Sequence, residues 1–198
     1  MSGFLITDIE TLGTDADSVI LSLAICYIDI SSVATMTPLE LVEYVREKSL
    51  FVKLDAKEQL AGGRKYSKST LDWWASQPKA TQEKSLIPSQ NDVSRLDAYE
   101  KIKKYIADCN GKKMHMFARG SMDERILESF CNGLNVEPVT HWGNWRDVRT
   151  AIDVLYGSSF GYCGVDGLTK DKDINKHNPV DDIAFDVAMM LFGKVKND

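Results

Sequence analysis

The stretch Phe4-Leu5-Ile6-Thr7-Asp8-Ile9-Glu10 decides how this sequence folds, because its apolar and β-branched residues predict a β-strand. A polar turn over residues 13–18 and a second apolar segment over residues 19–28 predict a neighbouring strand. Residues i and i+2 of a strand point to the same face, so the Asp8 and Glu10 carboxylates are directed together. Two adjacent carboxylates repel each other unless a cation lies between them. The segment therefore predicts a sheet with a cation site beside it, and the alternative for the acidic pair is an exposed strand end.

Farther along the chain, predicted helices alternate with predicted strands. Apolar segments predict strands over residues 50–54 and 114–118. The spacing of apolar side chains and the presence of capping residues predict five helices, over residues 69–76, 93–106, 123–131 and 148–155 and from Pro179 onward. Residues 157–176, which contain four glycines, are expected to be irregular. This order predicts an α/β or α+β class with a mixed sheet.

Length and composition favour one globular domain. The chain has 198 residues, of which 43% are hydrophobic and 27% charged, and we expect a single domain over residues 1–198. No apolar run reaches the roughly 18 residues that span a bilayer, and no basic segment precedes the first apolar run, so neither a membrane partner nor a signal peptide is expected. The four cysteines form no Cys-x-x-Cys pair, which predicts free thiols and a cytoplasmic protein.

The charge balance argues against one class of nucleic-acid-binding protein. The net charge of −5 does not suit a passive coat protein, whose affinity comes from Lys and Arg side chains on phosphates. An enzyme that handles nucleic acid through divalent cations stays compatible with this charge, because the ions supply the positive charge.

Two further segments carry candidate site residues. His177 precedes a predicted helix that carries Asp182 in its first turns, and Asp123 opens another helix just after a predicted strand. Each segment alone is also what an ordinary capped helix start looks like. Together with Asp8 and Glu10 they supply four carboxylates and one histidine, a donor set that suits Mg²⁺ or Mn²⁺. Two such ions and a histidine base match phosphodiester hydrolysis.

These residues resemble the three exonuclease motifs of the DEDDh superfamily, the group of RNase T and the proofreading exonucleases. The motifs are Asp8-Ile9-Glu10-Thr11-Leu12-Gly13, Asp123, and the segment from His177 to Asp182. Residues 69–77 (Ser-Thr-Leu-Asp-Trp-Trp-Ala-Ser-Gln), 119–123 and 145–150 are similar to the phage DexA-type exonucleases and their bacterial 3′–5′ exoribonuclease relatives. The resemblance implies an α/β, ribonuclease-H-like fold with a mixed central sheet flanked by helices, and removal of mononucleotides from the 3′ ends of single-stranded RNA or DNA.

The resemblance also implies residue roles. It implies that Asp8, Glu10 and Asp182 bind one catalytic ion, that Asp8 bridges to a second ion held by Asp123, and that His177 is the general base. It further implies that Thr11 and Leu12 border the terminal nucleotide.

Other nearby side chains are weaker candidates. Trp74, beside Trp73, is a candidate for stacking on a base, although adjacent aromatic residues are more often divided between core and surface. Arg149 either contacts a phosphate or pairs with an acid such as Asp147. Asp181 and Asp186 are expected to be acidic residues on a helix surface.

Several alternatives stay open at this point. The leading hypothesis is a metal-dependent 3′–5′ exonuclease that uses two ions; the others are a nucleic-acid-binding or proofreading-accessory module and a hydrolase of short oligonucleotides. RNA and DNA are not distinguished, because that choice depends on contacts to a 2′-hydroxyl. We expect a monomer or a homodimer.

Overall fold

The computed structural model describes residues 3–109 and 113–194. Its strands are β1 (Gly3–Thr11), β2 (Ile20–Asp29), β3 (Leu50–Lys53), β4 (Met116–Ala118), β5 (Trp145–Asp147), β6 (Gly164–Val165) and β7 (Gly193–Lys194). Its α-helices are α1 (Ile30–Val33), α2 (Pro38–Lys48), α3 (Ala56–Ala61), α4 (Lys68–Ala75), α5 (Lys79–Thr81), α6 (Arg95–Asp108), α7 (Met122–Leu134), α8 (Val148–Tyr156), α9 (Lys170–Asp173) and α10 (Pro179–Phe192). A π-helical turn follows α5 at Gln82–Leu86, and a 3₁₀ turn precedes β5 at Trp142–Asn144.

The central sheet has five strands in the order β3-β2-β1-β4-β5. β1 pairs antiparallel with β2 and parallel with β4, so the sheet is mixed, as the sequence predicts. β3 continues the antiparallel half, and β5 continues the parallel half. The α/β class is therefore confirmed, and β1 lies at the centre of the sheet.

Helices cover both faces of this sheet, and the alternation of side chains along β1 decides which residues meet which helices. Phe4 and Ile6 pack in a cluster with α2, α8 and α10. Leu5 and Ile9 pack on the opposite face with α6 and α7. Even-numbered residues of β1 therefore face α10, and Asp8 and Glu10 belong to this set.

The sequence prediction differs from the structure at several places, and it includes neither helix α3 nor strand β5. Helix α2 was not predicted, although Thr37 and Glu40 form a capping box and apolar residues on one side of the helix are buried. Helix α4 begins at Lys68, because the Ser67 side chain caps it, rather than at residue 69. Residues 157–176 are not wholly irregular, since they contain β6 and α9.

The structure also describes the cysteine side chains and the hydrophobicity of the helices. All four cysteines, Cys26, Cys109, Cys131 and Cys163, are free thiols. Within residues 3–109 and 113–194, no helix is long and apolar enough to cross a membrane.

A bulge between β1 and β2 lies next to the acidic pair. Glu10 pairs with Ser22 and Thr11 with Ile20, which leaves Leu21 as the extra residue of β2. The fully buried side chain of Gln59 closes the gap: its Nε2 donates to the Ile20 carbonyl (2.7 Å), and its Oε1 accepts from the Ile20 amide (2.9 Å). One side chain of α3 thereby satisfies the backbone of β2 where the ladder shifts.

The Gln59→Ala substitution should lower the free energy of unfolding by about 2–3 kcal/mol, because it leaves two buried backbone groups of Ile20 without these partners. Urea denaturation measures the change. Gln90→Ala, at an exposed position, is the matched control and should stay within about 0.5 kcal/mol of the parent. Equal losses in the two variants would contradict this account of the bulge.

Candidate active site

The predicted site residues meet where the end of β1 faces the first turns of α10. Asp8 and Glu10 point toward α10 and are partly accessible to solvent. Asp182 lies in the first turns of α10, and Asp186 follows it one turn later on the same side of the helix. The side chains of Asp8, Glu10 and Asp182 are close enough for each to alter the ionisation of a neighbour in this group.

Asp123 enters the same pocket from the parallel half of the sheet. The chain leaves β4 through Arg119 and Gly120, whose positive φ of 80° lets it turn into α7. The Gly120 amide donates to the Asp147 carboxylate (2.9 Å), which fixes this turn to the start of α8. Asp123 lies in the first turn of α7, is 3% exposed and interacts electrostatically with Asp8.

His177 reaches the pocket from the loop before α10. Its backbone is left-handed (φ 60°), an uncommon conformation for a residue other than glycine, and its amide donates to the Asp182 carboxylate (2.9 Å). The His177 Nδ1 lies 3.9 Å from the Glu10 Oε1. The indole of Trp73 meets the imidazole at 90°, with 4.7 Å between ring centroids. The structure thus brings together all five residues of the predicted Asp, Glu, Asp, His, Asp set.

Burial and mutual repulsion make the four carboxylates hard to ionise together. Burial, with the charges of neighbouring acids, raises the pKa of Glu10 to about 8 and that of Asp8 well above its ordinary value. Burial is also the main cause that raises the pKa of Asp123 to about 8 and of Asp182 to about 6. Such a group of acids attracts cations, because a cation relieves the repulsion.

The pKa of His177 is lowered, in contrast to the raised pKa values of the carboxyl groups. Burial lowers its pKa below the usual value, and the ammonium groups of Lys170 and Lys176 lower it further. The imidazole is therefore uncharged at neutral pH and has a nitrogen lone pair available to accept a proton.

The geometry and the donor types fit a divalent cation. One possible ligand atom from each of Glu10, His177 and Asp182 lies within 4.8 Å of the others. Carboxylate oxygens predominate in the wider pocket, and they are the donors that Mg²⁺ and Mn²⁺ prefer.

The other two acids of α10 are not surface residues, and the expectation for them was wrong. Asp181 is buried against Arg46, whose Nε and Nη2 donate to its two oxygens at 2.8 and 2.9 Å. Asp186 is buried against Arg119, with Nη2 2.6 Å and Nε 3.0 Å from Oδ1. Burial tends to raise the pKa of Asp181, but Arg46 and Asn175 hold it below its usual value. Both acids therefore have arginine partners, unlike the four predicted metal ligands.

Trp74 does not lie where a base could stack on it. Its side chain is 1% exposed and packs with Leu12, and its Nε1 donates to the Thr11 carbonyl (2.8 Å). The expectation of a base contact at Trp74 is therefore corrected, because its indole supports the end of β1 from the core. Trp73, 41% exposed beside His177, is the tryptophan that the site presents to solvent. Thr11 and Leu12 are themselves 7% and 6% exposed.

Arg149 is exposed near the acidic pocket. Asp147 does not pair with its guanidinium; the Asp147 carboxylate instead caps α8 by accepting from the backbone amides of Arg149 and Thr150. Among the described residues, the Arg149 guanidinium has no hydrogen-bond or ion-pair partner, and its charge opposes the burial that raises the pKa of Asp123 and Asp186. The side chain is available to an anionic ligand at the Asp123 side of the pocket.

Comparison with known proteins gives the class and then the family. The fold matches the crystal structure of cell-death related nuclease 4 (CRN-4) with a TM-score of 0.54 and 13% identity, over 96% of this chain and 62% of that chain. The chain therefore has a ribonuclease-H-like fold. The exodeoxyribonuclease of Enterobacteria phage T4 is 31% identical over 205 residues, which are 94% of this chain and 87% of the phage protein. Residues 3–191 match the Rv2179c-like 3′–5′ exoribonuclease domain, and the chain belongs to this family of 3′–5′ exonucleases.

The raised carboxyl pKa values predict how stability depends on pH without divalent ions. Between about pH 4 and 8 the folded chain holds protons that the unfolded chain has released, so the free energy of unfolding should fall as pH rises. Asp8→Asn removes part of the repulsion. It should raise the melting temperature in EDTA at pH 8, and much less at pH 5, where the acids are protonated in the parent fold.

Thermal unfolding at pH 5, 6.5 and 8 measures this effect. Added Mg²⁺ or Mn²⁺ should stabilise the parent protein at pH 8 more than it stabilises Asp8→Asn. A variant less stable than the parent at pH 8 in EDTA would contradict the proposed repulsion.

Proposed function

We propose that this protein is a divalent-metal-dependent 3′–5′ exonuclease that releases nucleoside monophosphates from single-stranded nucleic acid or 3′ overhangs. One observation carries the proposal. In the part of the chain that the structure describes, four carboxylates without arginine partners converge with an uncharged histidine between β1, α7 and α10. Family membership gives the reaction class, and this pocket supplies its chemical groups.

The proposed ion ligands are Asp8, Glu10, Asp123 and Asp182, for two Mg²⁺ or Mn²⁺ ions. When bound, such ions activate water and stabilise the negative charge that develops on the phosphate. The carboxylates would position them, since Asp8 interacts electrostatically with Glu10, Asp123 and Asp182. The α10 helix contributes its N-terminal dipole, which favours the anionic form of Asp182.

His177 is the proposed general base. Its Nδ1 faces Glu10, and the hydrogen bond from its amide to Asp182 holds the loop backbone in place. The neutral imidazole accepts a proton from water as the water oxygen bonds to phosphorus. The bond from phosphorus to the 3′-oxygen of the preceding nucleotide breaks, this oxygen takes up a proton from solvent, and the shortened strand leaves with a 3′-hydroxyl.

The 3′-terminal nucleotide is proposed to lie against the end of β1. Thr11 and Leu12 form this border, Trp73 offers an exposed aromatic surface, and Arg149 offers a cation for a phosphate. Stacking on an exposed aromatic ring contributes roughly 1–3 kcal/mol per base. Trp74 acts indirectly, because it holds the Thr11 backbone.

The proposal covers both RNA and DNA. The family is described by exoribonuclease activity and the phage relative by exodeoxyribonuclease activity. Matched RNA and DNA strands, labelled at the 3′ or 5′ end, decide between the two and give the direction of hydrolysis. A length series from dinucleotides upward separates trimming of long strands from hydrolysis of short oligonucleotides. A single domain over residues 1–198, a cytoplasmic location, and a monomer or homodimer stay predictions.

Asp182→Asn should reduce mononucleotide release to background in Mg²⁺ or Mn²⁺, because it removes a proposed ion ligand. His177→Ala should lower kcat by roughly 10²–10⁴-fold, the usual contribution of a general base. Chromatographic detection of mononucleotides measures both rates.

Asp72→Asn, on the exposed side of α4, is the control and should retain the parent rate. EDTA should abolish release, and Mg²⁺ should restore it. Near-parental turnover by folded Asp182→Asn protein would refute the proposed site.

A further inference from the structure

Lys170 is a cation beside the carboxylate pocket that the proposed mechanism has not used. It is the first residue of α9, in the loop that leads to His177, and is partly buried. Its Nζ lies 5.2 Å from the ring centre of Tyr162 and 5.1 Å from that of Phe185. Phe185 is buried on α10, less than one turn after Asp182. Two aromatic rings therefore hold the ammonium near the N-terminal end of α10.

Arg119 holds the Tyr162 ring in place. The Arg119 guanidinium stacks over it at 4.2 Å and is also paired with Asp186. The Nη1 of Arg119 donates to the Gly161 carbonyl (2.9 Å), and the Gly161 amide donates to the Asp153 carboxylate (2.7 Å). A chain of contacts thus runs from the buried Asp186 through Arg119 to the ring beside Lys170.

Gly161 makes this close approach possible. Its φ is 68°, and a Cβ at this position would come within 2.5 Å of the Arg149 side chain. The loop therefore packs directly on the start of α8, next to the exposed Arg149. Tyr162 is therefore held both by Arg119 on its ring and by the packing of the adjacent Gly161 on α8.

The Lys170 charge is directed at the pocket but is not neutralised there. Its charge contributes to the lowered pKa of His177 and opposes the rise in the pKa of Asp182 and Asp186. Among the described side chains, no carboxylate lies within 4.0 Å of Lys170, so it has no ion-pair partner there. Arg149 likewise interacts electrostatically with Asp123 on the other side of the pocket. Lys170 and Arg149, neither of which has an ion-pair partner among the described residues, therefore lie near the acids.

Resting on the exonuclease function proposed above, we propose that Lys170 is a substrate-contacting residue, whose ammonium binds a non-bridging phosphate oxygen of the nucleic-acid strand on the His177–Asp182 side. A compact ammonium suits a phosphate oxygen as a point charge and conveys no base preference. The aromatic rings hold its side chain in place before the strand arrives, so less conformational entropy is lost on binding. The carboxylates cannot supply this contact, because they repel phosphate until cations are bound.

Steady-state kinetics on a single-stranded oligonucleotide test the proposal with Lys170→Met, which keeps most of the stem, and with Lys170→Arg. Lys172→Met is the matched control, since Lys172 is an exposed lysine of the same short helix. Lys170→Met should lower kcat/KM by roughly 10- to 100-fold, the value of one charged hydrogen bond, and Lys170→Arg should recover most of it. The difference in kcat/KM between the parent and Lys170→Met should become smaller as the salt concentration rises. Each phosphate contact to a single strand contributes about 0.7 to the slope of log affinity against log salt concentration, and Lys170→Met removes one such contact.

A substrate modification separates a phosphate contact from a loss of packing. A series of oligonucleotides carries one neutral methylphosphonate each, at successive linkages on the 5′ side of the scissile bond. At one of these linkages the modification should slow the parent enzyme but should not slow Lys170→Met any further. Tyr162→Leu should reproduce part of the Lys170→Met loss, whereas Tyr162→Phe should not, because the ring is retained. Melting temperatures verify that each variant is folded.

Equal kcat/KM for Lys170→Met and Lys172→Met, or equal methylphosphonate effects in the parent and Lys170→Met at every linkage, would overturn the Lys170 proposal while the exonuclease function stands. A parent protein that releases no mononucleotide from any strand would overturn the exonuclease function itself.

Discussion

The repulsion between carboxylates packed together at the contact of β1 with α10 is the constraint on which the site depends. Asp8 and Glu10 share a face because of the strand period, and the same face holds Phe4 and Ile6 against α10. The apolar contacts that stabilise the fold therefore force acids from opposite ends of the described chain into one pocket. Hydrophobic packing opposes electrostatic repulsion here, and a bound cation removes the conflict.

The acids of this region divide into two groups according to their partners. Asp181 pairs with Arg46 of α2, and Asp186 pairs with Arg119, which follows β4. These ion pairs join both elements to α10 and neutralise the two carboxylates. Among the described residues, the four proposed ion ligands have no such partner, and burial raises their pKa values. Burial raises the pKa of Asp186 as well, although Arg119 opposes the rise. Burial alone does not distinguish the two groups, because Asp123 is as buried as Asp181 and Asp186. The presence or absence of an arginine does.

The sequence predicted the features that depend on local periodicity. The two-residue period placed Asp8 and Glu10 together, and helical spacing gave the helices that present Asp123 and Asp182. It did not predict the arginine partners, because Arg46 and Arg119 lie 135 and 67 residues from the acids they bind. It also could not decide which of Trp73 and Trp74 is buried, since one step of α4 rotates a side chain by about 100°. Packing against Leu12 decides this, and no local pattern encodes it.

Assembly of the pocket from β1 and α10 has a consequence for protein synthesis. A ribosome-bound chain from which α10 has not yet emerged can form the β1–β2 pair, but it lacks Asp182 and the loop that carries His177. Such a nascent chain presents only part of the acidic pocket and does not yet have the imidazole of His177 beside it. The acidic pocket described above is therefore complete only when α10 has packed against β1.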